Sequence, residues 1–291
     1  MSDDAFVAHR RLLFTVAYEM LGSAVDAEDV LQESWLKWNR DDRGDVRDPR
    51  AYLVRIVTRT ALDRLRTIVR RREEYVGSWL PEPLLTSPDV AEDFELADSL
   101  STAMLLVLET LTPTERAVFL LRDVFDLGYA ELAEAVGKSE AAVRQIAHRA
   151  RSHVAERRPR KSASQAETRS ALEAFMRTLE TGDLQPLIDV LAPDVVALGD
   201  GGGIKQALPR PVMGADKVGK LMGLGIATAR EIGMTMEFVQ MNGWPSLLIR
   251  LDGEIDSVLS VRVEGGLVSA IYTVRNPEKL SRMVEESILA R

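Results

Sequence analysis

Apolar residues recur at helical spacing through the first half of the chain and at strand spacing through much of the second. Phe6, Leu13, Val16, Ala17 and Met20 follow a helical period up to Gly22-Ser23, where it breaks. A second helix is expected to carry Val30, Leu31, Trp35 and Trp38, with Asp26 as its N-cap. The i, i+3 spacing of the two Trp continues the apolar stripe, which predicts core positions for both. An Asp-rich polar loop over 39–49 precedes a long helix from about Pro49 to Arg72. Its stripe is Leu53, Ile56, Val57, Thr60, Ala61 and Leu65. Residues 73–100, with Pro81, Pro83 and Pro88, predict a linker with a short helix toward its end. Thr112-Pro113-Thr114-Glu115 is a helix start with cap, N1 proline and capping box. Helices at about 129–135 and 139–156 follow, separated by Val136-Gly137-Lys138.

Residues 157–166 are basic, then Ser/Ala-rich, and read as an interdomain linker. Beyond them a helix is expected over about 167–181, closed by Gly182, and another over 214–229. Strand-like runs are Val195–Leu198, Met234–Met241, Ser246–Leu251, Ser257–Val263 and Leu267–Val274, with hairpin turns at Asp252-Gly253 and Gly265-Gly266. This half is expected to be α+β, with helices packed on a strongly curved antiparallel sheet.

Composition changes the picture in two ways. The 291 residues suffice for about two domains. There is no Cys, and the three His (His9, His148 and His153) are scattered, so disulfides, thiolate sites and a histidine-built metal centre are excluded. The net charge of −8 argues against nucleic acid, but its distribution argues for it. Residues 43–72 hold ten Arg against three Asp, and residues 138–161 hold eight Lys or Arg against two Glu. Residues 73–100 between them carry eight acids and no base. Segregation of this kind predicts two polyanion-facing surfaces and an acidic connector. No apolar run approaches the ~18 residues of a spanning helix, and Met1-Ser2-Asp3-Asp4 lacks a signal-peptide pattern. A cytoplasmic protein without membrane contact is expected.

The sharpest chemical signal is a helix-turn-helix at about 129–156. Gly137 permits the turn and Ser139 caps the second helix. On that helix Val143, Ile146, Ala147, Ala150 and Val154 form an apolar face. Arg144, Gln145, His148, Arg149, Arg151 and Ser152 occupy the other. A helix of this kind fits the DNA major groove, where Arg and Gln make bidentate contacts to base edges. The Arg-rich helix 50–72 is the second basic surface.

At this point the residues resemble a known family, the bacterial sigma factors of the extracytoplasmic-function (ECF) type. Asp26-Ala27-Glu28-Asp29-Val30-Leu31-Gln32-Glu33-Ser34-Trp35 resembles the polymerase-binding part of sigma region two. Pro49-Arg50-Ala51-Tyr52-Leu53-Val54-Arg55-Ile56-Val57 resembles the start of its promoter-reading helix. Leu111-Thr112-Pro113-Thr114-Glu115-Arg116 through Arg151 resembles region four. Trp79-Leu80-Pro81-Glu82-Pro83, Asp200-Gly201-Gly202-Gly203 and Asn276-Pro277-Glu278-Lys279-Leu280 resemble motifs of the subgroup with a fused C-terminal SnoaL-like (NTF2-like) domain. Glu278, where that subgroup usually has Asp, and Ile204 between the glycines and Lys205 are departures from it.

The resemblance implies a multidomain protein. Two all-α sigma domains, a region two helical bundle over 1–75 and a region four helix-turn-helix over 101–160, flank an acidic linker over 76–100. An α+β cone-shaped SnoaL/NTF2-like regulatory domain follows over 167–291. It implies polymerase contact, with the β and β′ subunits, through Asp26, Glu28, Asp29, Gln32 and Glu33. It implies single-strand promoter contact through Arg55, Arg59, Asp63 and Arg64, with a flipped base in the loop at about 40–48. It implies duplex contact through Arg144, Gln145, His148 and Arg149. The regulatory domain would dock on the sigma core, using Trp79, Leu80, Pro81, Asp200, Gly201, Gly202, Gly203, Asn276 and Pro277. The acidic linker would occupy a basic channel of the polymerase. No catalytic residue, metal or cofactor is implied. The rivals are a SnoaL-like enzyme, with Asp200, Asp252, Asp256 and Tyr272 as pocket groups, and a ligand-sensing transcription factor built on the helix-turn-helix alone.

Overall fold

The computed structural model describes residues 2–40, 46–72, 74–87, 90, 92–157, 163–283, 286–287 and 289–290. Residues 41–45, at the centre of the expected base-flipping loop, lie outside the described residues. The chain forms two compact units. One comprises Met1–Glu74, Glu92–Arg158 and Ile288–Arg291, the other Tyr75–Ala91 and Pro159–Ser287.

The first unit opens with α1 (Ser2–Leu21), α2 (Ala24–Arg40) and α3 (Pro49–Arg72). Gly22, at φ 67°, ends α1 in a left-handed turn that costs a glycine little. Ser23 then caps α2, its Oγ accepting the Asp26 N–H at 3.3 Å. Asp26 is therefore not the expected cap; it sits inside the first turn with its carboxylate free to pair elsewhere. The expected stripes of all three helices meet, and Leu13, Val16, Ala17, Met20, Leu31, Leu53, Val57 and Ala61 are buried. Trp38 joins them at 3% exposure, but Trp35 stays 38% exposed, against the expectation of a core role for both. One i, i+3 step rotates a side chain by most of a full turn, enough to carry it past the edge of the stripe.

Among the described residues of this unit there follow α4 (Phe94–Leu100), α5 (Thr102–Leu108), α6 (Pro113–Phe119), α7 (Tyr129–Val136) and α8 (Glu140–Arg157), with a π-helical turn at Leu120–Val124. The capping box at the start of α6 forms as expected, Thr112 accepting from the Glu115 N–H and Glu115 from the Thr112 N–H. A buried polar knot ties α1 to α4 and α6. Ser99 Oγ donates to Glu19 Oε1 at 2.7 Å. The Arg116 guanidinium donates to the Glu19 backbone carbonyl at 3.0 and 2.7 Å and pairs with Glu109. Burial pushes the Glu19 carboxyl up to about 8, outweighing the Ser99 bond and the Arg116 charge. Burial also pulls Arg116 down to about 9, which leaves it charged at neutral pH.

The second unit contains α9 (Gln165–Thr181), α10 (Gln185–Asp189), α11 (Ala215–Glu231), α12 (Pro277–Leu280) and six strands: β1 (Leu191–Asp200), β2 (Val212–Met213), β3 (Thr235–Met241), β4 (Trp244–Leu251), β5 (Glu254–Glu264) and β6 (Leu267–Val274). The sheet order is β2-β1-β6-β5-β4-β3. It is mixed, not antiparallel throughout, because β1 runs parallel to β6. Tight hairpins join β4 to β5 and β5 to β6, with positive φ at Asp252-Gly253 and at Gly265-Gly266. β1 reaches β6 only through the long connection that carries α11, so no hairpin dictates its direction. Register shifts interrupt β1, β4 and β5, and such irregularities bend a sheet. One face packs Leu247, Ile249, Leu259 and Ile271 against Phe175 of α9 and Val218 of α11.

Candidate nucleic-acid and polymerase interface

On α8 the predicted division of faces is complete. Val143, Ile146, Ala147, Ala150 and Val154 are buried, while Arg144, Gln145, His148 and Arg149 are all exposed. The turn before α8 is built as the sequence demands: Gly137 adopts φ 67°, and Ser139 Oγ accepts the Ala142 N–H at 3.3 Å. Arg144 lies 4.3 Å over the Tyr129 ring and 3.1 Å from Glu140, which holds it beside the N-terminal end of α8. Arg149 stands 3.8 Å from Glu115, a loose pair. Arg151 bonds Asp123 at 2.8 Å, and that bond raises its already high pKa. The helix thus presents a cationic strip on a locked base.

The basic face of α3 is engaged within the same unit. Arg55 Nη1 lies 2.7 Å from the Glu134 carboxylate. Arg59 donates to the backbone carbonyls of Glu134, at 2.6 Å, and Ala135, at 3.4 Å. These carbonyls belong to the last turn of α7, where unpaired acceptors and the helix dipole attract a cation. Asp63 pairs with Arg66 at 2.7 Å, so Arg59 and Asp63, one turn apart, have different partners. Arg64 reaches 2.8 Å from Asp26 and 2.7 Å from Asp29; the Asp26 bond, outweighing partial burial, raises its pKa. A candidate DNA contact and two candidate polymerase contacts therefore form one ion-pair cluster.

The rest of the acidic face of α2 is also partnered. Arg10 forks onto both oxygens of Glu28 at 2.9 and 2.7 Å, Glu33 pairs with Lys37 at 2.8 Å, and Gln32 is exposed. Exposed pairs of this kind contribute little, roughly 0–1 kcal/mol each. An Arg-bearing partner can exchange with them at low cost.

In the second unit the expected regulatory residues converge. Asp200 is fully buried. Its carboxylate accepts from Tyr75 Oη at 2.7 Å, the Leu80 N–H at 2.9 Å, the Gly202 N–H at 3.0 Å and Lys279 Nζ at 2.7 Å. Its backbone carbonyl accepts from the N–H groups of Arg275 and Asn276. Asn276 donates to Tyr75 Oη at 2.9 Å and caps α12, with Pro277 at its first position. Lys279 also donates to the Leu80 carbonyl and lies 4.4 Å over the Trp79 ring and 5.1 Å over Tyr75. A Cβ at Gly201 would collide with the Lys205 carbonyl, and one at Gly202 with the Asn276 amide, so the loop closes only with glycines there. Burial, then the Asp200 bond and charge, push the Tyr75 phenol above its ordinary range.

Tyr75 is absent from the sequence expectation, where its only signal is an aromatic at the linker start; Lys279 enters that expectation only within the five-residue motif Asn276–Leu280. Part of the expected linker is a packed segment that belongs to the second unit. Leu80, Pro81, Glu82, Pro83 and Leu84 are buried. Leu84 exchanges bonds with Asn242 at 2.9 Å both ways, and the Thr86 N–H donates to the Gln240 carbonyl at 2.9 Å. These bonds hold it as a strap along the second unit.

Of the alternative pocket groups Asp256 lines a cavity of the second unit. Burial works to raise its carboxyl, but bonds and charges from Arg275 and Lys205 prevail and hold it below the usual range. A general base working near neutrality needs a raised pKa, so this carboxylate is unsuited to that task. Asp200 is committed to the strap, Asp252 lies in a turn, and Tyr272 is buried. Among the described residues no cluster of acids or histidines could hold a metal ion, and no helix is long and apolar enough to cross a membrane.

Two helical modules, one carrying an acid-faced helix beside an Arg-rich one and the other a capped helix-turn-helix, define a promoter-recognition class of protein. Comparison with known families agrees: residues 5–72 match Sigma-70 region 2 and residues 101–154 match Sigma-70, region 4. The chain belongs to the ECF RNA polymerase sigma factors. It is 34% identical to ECF RNA polymerase sigma factor SigJ of Mycobacterium tuberculosis, over 97% of this chain and 94% of that one. It is 31% identical to the probable ECF RNA polymerase sigma factor SigI of the same species, over 97% and 96%. The crystal structure of M. tuberculosis SigJ matches with TM-score 0.74 and 33% identity, covering 94% of this chain and 96% of that chain. The likeness therefore includes the α+β unit, and the chain is a transcription regulator.

Proposed function

We propose that this sigma factor binds core polymerase, at its β and β′ subunits, through Asp26, Glu28, Asp29, Gln32 and Glu33. It reads the upstream promoter element as duplex through Arg144, Gln145, His148 and Arg149. It reads the opened strand through Arg55, Arg59, Asp63 and Arg64. The observation that carries this reading is α8: four candidate base readers exposed on one face of a capped helix whose opposite face is wholly buried. The α+β unit modulates initiation in cis, with the strap from Tyr75 to Thr86 as its link to the sigma modules, and performs no bond chemistry.

The test is run-off transcription by core polymerase on a promoter recognised by the full chain. Arg149→Ala is expected to lower the yield about ten- to a hundredfold, from a loss of about 1–3 kcal/mol per base contact, with folding intact because Arg149 is exposed. Unchanged yield from Arg144→Ala, Gln145→Ala and Arg149→Ala alike would remove α8 from promoter reading. Full-length variants are preferred to truncation near Arg160, which would strip the strap of its partners.

The pairing of Arg55 with Glu134 supplies a second expectation. Glu134→Gln should free Arg55 and raise the affinity of the free protein for a single-stranded promoter oligonucleotide a few-fold at low salt. Fluorescence anisotropy checks this. Unaltered affinity would mean that Arg55 contributes nothing to strand contact.

A further inference from the structure

A cavity of about 180 Å³ opens in the second unit among α9, α11, β3, β4 and β5. Its walls are apolar and adaptable: Phe175, Met222, Ile226, Met234, Met236 and Leu259. Methionines re-pack around differently shaped guests at little cost. Its polar end is not neutral. Arg275 donates to Asp256 through Nε at 3.1 Å and Nη2 at 2.8 Å, and to the Gln206 carbonyl through Nη1 at 2.7 Å. Lys205 Nζ lies 3.2 Å from the same carboxylate. Two cations thus face one carboxylate: Arg275 and Asp256 line the cavity, and Lys205 pairs with the same carboxylate beside it.

An independent observation comes from α11, which contains three glycines, each costing roughly 0.5–1 kcal/mol relative to Ala in a helix. Packing accounts for two of them. A Cβ at Gly219 would press on Ile188 at 3.2 Å, and one at Gly223 would overlap Leu184 at 2.6 Å. A Cβ at Gly225 meets nothing within 4 Å, and Gly225 lines the cavity. Gly225 is exposed at the rim of the cavity, and no described neighbour requires a glycine there.

We propose that this cavity binds a small apolar monoanion, an aromatic or short aliphatic carboxylic acid. Its body lies among Met222, Ile226, Met234 and Met236, and its carboxylate meets Arg275 and Lys205. The size agrees: an apolar cavity of about 150 Å³ takes a benzene ring. The charge agrees as well, since a carboxylate completes a two-cation, two-anion cluster with charge-assisted bonds. The site is joined to the strap by backbone bonds. The Arg275 N–H donates to the Asp200 carbonyl and the Lys205 N–H to the Gly201 carbonyl. The inference is independent of promoter reading, because every group in it belongs to the second unit.

The test uses the full-length protein and fluorine NMR with 4-fluorobenzoate, with 4-fluorobenzyl alcohol as the neutral match and hexanoate as competitor. The acid should bind saturably and be displaced by hexanoate, and the alcohol should bind about tenfold more weakly. Lys205→Met should weaken the acid by a similar factor and leave the alcohol unchanged. Gly225→Leu, which sets a bulky side chain at the rim of the cavity while improving helix propensity, should weaken both ligands without lowering the melting temperature. The proposal is overturned by no saturable binding of either acid, by equal affinity for acid and alcohol, or by affinities unchanged in the folded Gly225→Leu variant.

Discussion

Replacing Asp200 by Asn will detach the strap over residues 75–86. The substitution preserves shape but leaves Lys279, only 12% exposed, facing a neutral amide. Removing one partner of a buried pair costs about 3–5 kcal/mol, because the other charge stays desolvated. The loss falls on the strap, because Tyr75, Leu80 and Lys279 all meet at that carboxylate. Hydrogen exchange read on peptides from residues 75–86 should rise by two to three orders of magnitude, about 1.4 kcal/mol for each factor of ten. Lys279→Met should cost less, since the Asp200 carboxylate keeps three donors, and the double variant should lose less than the sum of the two. Wild-type protection in Asp200→Asn would show that apolar burial alone holds the strap. If the α+β unit acts in cis, promoter-dependent yield will shift in the same variant; identical yields would remove that role.

Glu19→Gln will stabilise the sigma modules at neutral pH and flatten their pH dependence. Glu19 is fully buried, and its carboxyl is raised from 4.5 to about 8. Between those values the folded protein holds a proton that the unfolded chain releases. Stability therefore falls as pH rises through that window and levels off above it. At pH 7 the protonation costs about 3 kcal/mol. Gln keeps the neutral form and its acceptor for Ser99 Oγ without that cost. Urea denaturation between about pH 5 and 8 checks this: wild type should lose stability across the range and the variant should not. A variant less stable than wild type at pH 7, with the slope unchanged, would show that Glu19 is ionised in the fold. The position matters because Ser99 and Arg116 tie α1 to α4 and α6 through Glu19, so the knot joins the two sigma modules.

Much of this protein is legible from local pattern. The stripes of α1 to α3, the capping box at Thr112, the turn at Gly137, the two faces of α8 and the hairpins at Asp252-Gly253 and Gly265-Gly266 depend on residues within a turn or two. Period and cap chemistry suffice to place them. The motifs that resemble sigma regions two and four lie in these segments, which is why the family is legible there.

Other features depend on segments distant in the chain. Asp200 was recognised beside its glycines, but its partners Tyr75 and Leu80 lie 125 and 120 residues away, and no periodicity reports such a meeting. The strap reads as an acidic linker by composition, yet Leu80, Pro81 and Leu84 are buried and its backbone bonds Asp200 and Asn242, 120 and 158 residues away. The pairing of Arg55 and Arg59 with the end of α7, the parallel direction of β1 and β6, and the meeting of Arg275, Asp256 and Lys205 at the end of an apolar cavity are likewise tertiary outcomes. Local periodicity and capping chemistry are enough to specify the helices, the hairpins and the faces they present. Which charges are compensated, which acid loses its water and which loop is held down are settled only when remote segments come within bonding distance, since desolvation and pairing are properties of the assembled interior.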